Sequence, residues 1–491
     1  MNILLINPPY MRLLGIVDVY LPLGLGYLAR HLRRHGVTCA VYNADLPDQP
    51  GRGDESLCFM DLLERHSIYR DAVRDSNNVI WSGLAETLAA TKPDLIGIGV
   101  MSAKLESAVR VARISKQLCP SSVTVCGGPH ATVAPEDLLC VAEIDFVVRG
   151  EGEHTLLELC EAVADKRADL TGIDGLSFRS NGKVVHNRPR ALEKDITVFG
   201  YPTREEYFHL EKYPKSMISP IMSGRGCPYD CTFCNAKCTW TRHVRYRDLD
   251  NVMEEILLLK ERYAVPSYAF WDDSFTANRK RTEALLDKIV AKRVNLPWEC
   301  TTRIDLFDDR LLERMIEAGC NLVSIGLETA SDRMLKVIKK NITMADFHKG
   351  CAILERHKMN YGVFLMTGFP EETEEDILLT LDYAKNSKAP VLCLSVFTPY
   401  PGCESYDRAK EMGMIQGHLD WSSYSHQSPD NYFCPNVPRP RFLELLHQLA
   451  EAVDNHNKRA SAPHRRYLRR LGYYSRNPRH LASKLGRMLN R

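Results

Sequence analysis

The 491-residue chain contains no apolar run of 18 residues, so no segment is long and apolar enough to cross a bilayer as a helix. Its start, Met1-Asn2-Ile3-Leu4-Leu5-Ile6-Asn7, lacks the basic flank and apolar length of a signal peptide. The mature chain is expected to begin there and to be cytoplasmic. Paired cysteine patterns are also missing. Although there are 16 cysteines, residues such as Cys126, Cys320 and Cys393 stand singly in apparent strands and helices, which excludes a disulfide framework. Aromatic residues make up only 8% and are not interleaved with basic ones as in a nucleic-acid module, so no nucleic-acid partner is expected. What is present suits a soluble chain of two or three domains: 44% hydrophobic and 26% charged residues.

Net charge is nearly absent at +2, but it is unevenly placed. Residues Asn457–Arg491 hold eleven Lys or Arg and no Asp or Glu, leaving 53 basic against 62 acidic residues elsewhere. Leu468, Leu471, Leu481, Leu485, Met488 and Leu489 interrupt those charges, so the tail can form short amphipathic helices. It is expected to pack on the body or to touch an anionic membrane surface, and it leans toward a lipid-like or anionic substrate.

One group of cysteines is dense. In Gly224-Arg225-Gly226-Cys227-Pro228-Tyr229-Asp230-Cys231-Thr232-Phe233-Cys234, three thiolates at C-x3-C-x2-C spacing suit three corners of a cubane iron–sulfur cluster. The fourth iron is then open to a chelating ligand, which separates a catalyst from a pure electron carrier. Cys238 offers a rival reading, since it could complete a four-cysteine zinc site or a closed cluster.

Residues 1–165 alternate short apolar runs with helical stretches. Met1–Asn7, Thr38–Tyr42, Asp94–Val100, Val123–Cys126 and Asp145–Val148 read as strands, with helices such as Gly26–His35, Ser107–Gln117 and Pro135–Val141. This is a doubly wound, Rossmann-like α/β pattern that binds ligands beyond the carboxyl ends of its strands. Residues 166–215 read as a linker with a small hairpin around Asn181-Gly182, punctuated by Pro189, Pro202 and Pro214. From 216 to 412 the βα rhythm returns as a partial parallel barrel. Residues 413–491 form a small helical C-terminal region in which His418, Trp421, Tyr424, His426, Tyr432 and Cys434 are expected to shape a substrate pocket.

The cysteine spacing, with Phe233 before the last thiol, resembles the radical SAM superfamily. The loops Asn7-Pro8-Pro9-Tyr10, Leu21-Pro22-Leu23-Gly24, Met101-Ser102 and Gly127-Gly128-Pro129-His130, with Arg149-Gly150-Glu151-Gly152-Glu153, resemble the cobalamin-binding domain of the B12-dependent members of that superfamily. The resemblance implies that Cys227, Cys231 and Cys234 hold a 4Fe-4S cluster. It implies S-adenosylmethionine contacts from Phe233, Asp273, Arg303, Glu328 and the Gly368 region. It implies cobalamin contacts from Pro9, Tyr10, Leu23, Gly24, Ser102, Gly127, Gly128, Pro129, His130 and Glu151. An Asp-x-His-x-x-Gly motif should follow the first strand if a histidine ligated cobalt, but no histidine precedes His31. Cobalamin is therefore expected without a histidine ligand, and His130 is not assigned that role. Cys403 departs from the pattern, standing where many relatives have threonine.

As the resemblance implies, the fold is an N-terminal Rossmann-like cobalamin-binding domain, a partial (β/α)6 radical SAM barrel and a helical C-terminal region. The implied activity is C-methylation of an unactivated carbon in a small-molecule or lipid-like substrate, with flavodoxin or ferredoxin as electron donor. The alternatives are a cyclase or oxidative rearrangement enzyme resembling the anaerobic magnesium-protoporphyrin cyclase, and a non-catalytic cobalamin or iron–sulfur sensor. An RNA methylthiotransferase is set aside because Cys39, Cys58, Cys119 and Cys126 are too dispersed for a second cluster.

Overall fold

A computed structural model describes residues 1–16, 20–47, 58–417 and 419–460. His418 and most of the basic tail, residues 461–491, lie outside them.

The first strand, β1 (Asn2–Asn7), is a run of Ile and Leu buried on both faces, as the inner strand of a parallel sheet requires. It pairs with β2 (Thr38–Asn43) on one side and β3 (Leu95–Gly99) on the other. The sheet continues through β4 (Val123–Gly127) and β5 (Phe146–Val148) to β6 (Leu176–Ser180) and β7 (Lys183–His186), giving the order β2-β1-β3-β4-β5-β6-β7. Its first five strands are parallel, in the 2-1-3-4-5 order of a flavodoxin-like doubly wound fold. Helices α1 (Leu23–Arg34), α2 (Phe59–Arg74), α3 (Ile80–Thr91), α4 (Leu105–Leu118), α5 (Pro129–Val133), α6 (Pro135–Leu139) and α7 (Gly152–Ala164) accompany it.

Residues 166–215 are not a free linker. The β6–β7 hairpin extends the first sheet antiparallel to β5. The chain then runs to the opposite edge, where Val41 donates to the Glu206 carbonyl (2.7 Å) and accepts from the Phe208 N–H (2.9 Å). Arg204, with none of its surface exposed, anchors this strap. Its guanidinium meets Glu255 at 2.6 Å and donates to the carbonyls of Ile218 and Pro220.

The second sheet takes the order β15-β14-β13-β12-β11-β8, all parallel. Its strands are β8 (Pro220–Ile221), β11 (Tyr268–Phe270), β12 (Trp298–Thr302), β13 (Cys320–Glu328), β14 (Asn360–Thr367) and β15 (Val391–Val396). Between the first two of these, β9 (Gly224–Arg225) and β10 (Arg245–Tyr246) pair antiparallel around α8 (Ala236–Trp240). The outer helices are α9 (Leu249–Glu261), α10 (Arg279–Ala291), α11 (Asp309–Glu317), α12 (Asp332–Val337), α13 (Met344–Arg356) and α14 (Glu374–Asn386). Their starts are written locally: Asp248, Asn278, Asp308, Ser331, Thr343 and Thr373 each accept a backbone N–H of the first turn. Two helices follow the last strand, α15 (Glu404–Glu411) and α16 (Arg439–Ala460).

Alternation along β12–β15 decides where the barrel core lies. Trp298, Val323, Ile325, Val363, Leu365, Leu392 and Val396 are at most 1% exposed and face the helices. Their neighbours on the other face are more accessible, so the main core lies outside the lumen. α16 packs along α14 and β15, and Asp454 accepts from the N–H groups of Phe59 (2.8 Å) and Met60 (3.1 Å) at the start of α2. The C-terminal region therefore ties the barrel to the first domain. Helix α5, at the carboxyl end of the first sheet, lies against α8 at the mouth of the barrel. The two domains thus bring their strand-end loops together.

Candidate active site

The cysteine loop follows directly from β9. Gly226 begins it with φ of +108°, and a Cβ there would stand 2.8 Å from the His243 carbonyl oxygen, so only glycine allows this turn beneath β10. The Thr232 N–H donates to the Ile338 carbonyl (3.1 Å), and the Ser405 hydroxyl donates to Thr232 Oγ1 (3.0 Å), so the loop is held by the segments after β13 and β15. Phe233 packs edge-on against Phe369, with ring centroids 5.9 Å apart.

The thiols of Cys227, Cys231 and Cys234 are close enough to influence one another electrostatically, and burial raises the pKa of all three. Among the described residues no three His, Cys, Asp or Glu groups converge as ligands of a single metal ion would. A cubane cluster does not need that convergence, because each thiolate binds a different iron. Cys238 does not join the trio. Its thiol donates to the Gly402 carbonyl at 2.6 Å. This geometry disfavours a four-cysteine knuckle.

Charged side chains surround the three sulfurs. The neighbours Asp272 and Asp273 have different tasks. Asp272 accepts from Ser223 N–H (2.6 Å), Ser223 Oγ (2.5 Å) and Gly224 N–H (3.3 Å), and so pins the strand before the cysteine loop. Asp273 is solvent-accessible although protein surrounds most of it, and it lies within electrostatic reach of Cys227 and Cys234. Burial raises its pKa, against a hydrogen bond from the Gly226 backbone.

Beside Cys231 lie Arg303, Lys340 and Glu328. The Arg303 guanidinium stacks on the Tyr229 ring at 4.0 Å, pairs with Asp305 at 3.0 Å and donates to the Lys340 carbonyl at 2.7 Å. Glu328 adopts φ of +75°, an unusual conformation for a non-glycine residue, and meets Lys340 Nζ at 2.8 Å. Gly326 makes room for that pair, since a Cβ there would lie 2.2 Å from Glu328 Oε1. Sequence reasoning missed Lys340 and Asp305, although both stand just beyond motifs it used. Gly368 has φ of +100°, and its N–H donates to Glu372.

Glu372 has none of its surface exposed, and burial pushes its pKa up to about 8, against hydrogen bonds from Gly368, Thr367 and Phe369. Between pH 4.5 and about 8 the folded protein keeps a proton that the unfolded chain has released, so stability falls as pH rises through that window. The loss approaches roughly 5 kcal/mol. Glu372→Gln is expected to flatten this slope and to melt above the wild type near pH 9, as thermal unfolding across pH will show.

In the first domain, Gly128 has φ of +113°, and a Cβ there would stand 2.9 Å from the Val100 carbonyl, so the Gly127–Gly128 turn hugs the end of β3. Pro129 opens α5. Ser102 hydrogen-bonds His130 Nδ1 at 2.9 Å, and His130 Nε2 faces Asp137 at 3.3 Å under the edge of Trp421. His130 is 0% exposed, consistent with a wall position rather than a cobalt ligand. Pro9 and Tyr10 are buried after β1, with the Tyr10 ring on Tyr69 and its N–H bonded to Asp45. Leu23 is buried, while Gly24 in the first turn of α1 is open to solvent. Glu151, grouped with these residues in the sequence, is engaged elsewhere. Its oxygens accept from Arg225 and Arg245, both at 2.7 Å.

The Radical SAM superfamily model matches residues 221–384, and the B12 binding domain model matches residues 15–160. The chain belongs to the radical SAM enzymes that carry a B12-binding domain. It is 29% identical to an uncharacterized methyltransferase of Pyrococcus horikoshii over 87% of each chain. It is 26% identical to the anaerobic magnesium-protoporphyrin IX monomethyl ester cyclase of Rubrivivax gelatinosus, over 87% of this chain and 73% of the relative. The fold matches the radical S-adenosylmethionine methyltransferase TsrM of Kitasatospora setae, solved with cobalamin and a 4Fe-4S cluster, at TM-score 0.69 and 19% identity over 92% and 89% of the two chains.

The cofactors of this enzyme class are a 4Fe-4S cluster, S-adenosylmethionine and cobalamin, and the residues fit them. Three thiols share one loop, with the fourth cysteine turned away. Two cations, Arg303 and Lys340, and two carboxylates, Asp273 and Glu328, complement the zwitterionic end of methionine. The Gly127–Gly128 turn stands at the carboxyl end of β4, packed on the end of β3, where a doubly wound sheet receives its ligands. No described helix is long and apolar enough to cross a membrane.

Proposed function

We propose that this enzyme is a cobalamin-dependent radical SAM C-methyltransferase acting on an unactivated carbon of a small molecule. The observation that carries the reading is the apposition of α5, at the carboxyl end of the cobalamin domain, and α8, which follows the cysteine loop. When bound, the reduced cluster and S-adenosylmethionine supply hydrogen-atom abstraction, and cobalamin supplies the methyl group. The protein contributes position and exclusion of water. In this reading Arg303 and Lys340 hold the methionine carboxylate, Asp273 and Glu328 its amino group, and Gly368 lets the backbone lie close to the adenosyl part. The Arg303 fork is braced by Tyr229 and Asp305, so little reorganisation is needed on binding. A cytoplasmic setting would keep the cluster thiols reduced, and flavodoxin or ferredoxin would supply the electron. The basic tail, most of it outside the described residues, is the proposed peripheral membrane contact.

The competing reading is the cyclase chemistry of the Rubrivivax relative. The two differ in how S-adenosylmethionine is used, because a methyltransferase must also remethylate its cobalamin. Anaerobically reconstituted enzyme, given methyl-deuterated S-adenosylmethionine and a strong reductant, is expected to form both S-adenosylhomocysteine and 5'-deoxyadenosine. The label should pass to cobalamin. 5'-Deoxyadenosine with no S-adenosylhomocysteine would overturn methyl transfer in favour of cyclisation or rearrangement.

A further inference from the structure

Small (β/α) barrels usually fill their lumen with layers of branched side chains. Here the lumen is lined but not filled. On its inner face Trp271, just past β11, is 41% exposed, Phe364 on β14 is 37% exposed and Val391 on β15 is 42% exposed. Glu299 on β12 and Cys393 on β15 are also accessible. Their outward neighbours Phe270, Trp298, Cys300, Val363 and Leu392 are at most 3% exposed, so the accessibility belongs to the lumen rather than to a loosely packed barrel.

Strand register sets the layers. Glu299 lies between Ala269 of β11 and Leu322 of β13. The next inner pair is Thr301 and Ser324, and Phe364 stands beside Cys393 on the far side. Glu299 precedes Arg303 by four residues, which places it about 13 Å deeper in the barrel. No other charged side chain of β11–β15 shares its inner face at that depth. Among the described residues its carboxylate makes no hydrogen bond or ion pair, and burial raises its pKa. Nearby carboxylates are treated differently: Asp272 accepts three hydrogen bonds, and Glu328 holds Lys340. The carboxylate is open to the lumen but surrounded by protein, so it is less well solvated than a surface acid, and a cation brought by a ligand would relieve that cost.

We infer that the lumen is a chamber for a substrate with an apolar body and a protonated amine, the ammonium meeting Glu299 and the apolar part lying against Trp271, Phe364 and Val391. The inference rests on the methyltransferase reading, which makes the barrel the place where substrate is held. An anionic end would be repelled by Glu299, and a neutral hydroxyl would gain only a hydrogen bond.

The test is calorimetric titration of the reconstituted full chain with n-octylammonium, 1-octanol and octanoate, which share one chain length and differ in head group. n-Octylammonium is expected to bind at least about tenfold more tightly than 1-octanol, with octanoate weakest. Glu299→Gln should bring the amine to the level of the alcohol, whereas Glu299→Asp should keep the preference. Equal binding of all three ligands, or an amine preference that survives in a folded Glu299→Gln protein, would overturn the chamber. If Glu299→Gln fails to fold, wild-type selectivity together with Glu299→Asp still decides. Formation of S-adenosylhomocysteine is measured separately, so a failed methyltransferase reading shows there and a failed chamber shows in the titration.

Discussion

Cys231→Ala is expected to lose most of the bound iron and to form no 5'-deoxyadenosine above background, while Cys238→Ser keeps both. The first change removes one of three thiolates on a loop that offers no substitute among its neighbours. Asp230, the only carboxylate in the loop, is already paired with Lys237 at 3.2 Å and Arg242 at 3.4 Å. The second change touches a thiol whose hydrogen bond goes to Gly402, and a serine hydroxyl can donate to the same carbonyl. Iron analysis and quantified 5'-deoxyadenosine, on proteins purified without oxygen, decide the matter. Loss of metal in Cys238→Ser as well would restore the four-cysteine site and with it the structural or sensor readings.

The second large effect is expected at the junction between the domains. Arg225, immediately before the cysteine loop, reaches Glu151 at 2.7 Å and Glu153 at 2.6 Å, and Arg245 meets the other oxygen of Glu151 at 2.7 Å. All four residues are no more than 6% exposed. The Arg225 guanidinium also lies over the rings of Tyr27, Phe199 and Trp240, each about 5 Å away. Burial alone would raise the Glu151 pKa, but the hydrogen bond from Arg245 and the charge of Arg225 outweigh it and hold the carboxylate below its ordinary value. Arg225→Ala leaves two buried carboxylates with a single remaining cation. Such a loss costs about 3–5 kcal/mol. Glu205→Gln, which breaks a half-exposed pair with Arg262, is expected to cost less than about 1 kcal/mol. Urea unfolding of both variants checks the contrast. Equal midpoints would mean that the buried cluster adds no net stability. Because Arg225 adjoins Gly226, the same cluster fixes the start of the cysteine loop relative to the cobalamin domain.

What could be read along the chain depended on local geometry. Cysteines four and three residues apart cannot be far from one another in any fold, so the Cys227–Cys234 trio was legible directly. Apolar runs bounded by glycine and proline marked the strands of both sheets, because a strand writes its burial into successive residues. The loops at their carboxyl ends followed from that order.

Only the tertiary structure decided the contacts whose partners are distant in sequence. Nothing near Glu151 announces that it will meet Arg225 and Arg245. Nothing near Cys238 indicates that it will face Gly402. The task of Asp272, beside the Asp273 singled out in the sequence, was visible only once Ser223 and Gly224 claimed its carboxylate. The supposed linker became part of the first sheet because Val41 and β5 offered unpaired edges, and backbone groups exposed there must find partners. Glu299 reads in sequence as one acid in a strand, and only the closing of six parallel strands makes it a charge alone in a lumen. Covalent spacing determined the chemistry the chain can carry, whereas long-range packing determined which of its charges are left for a ligand.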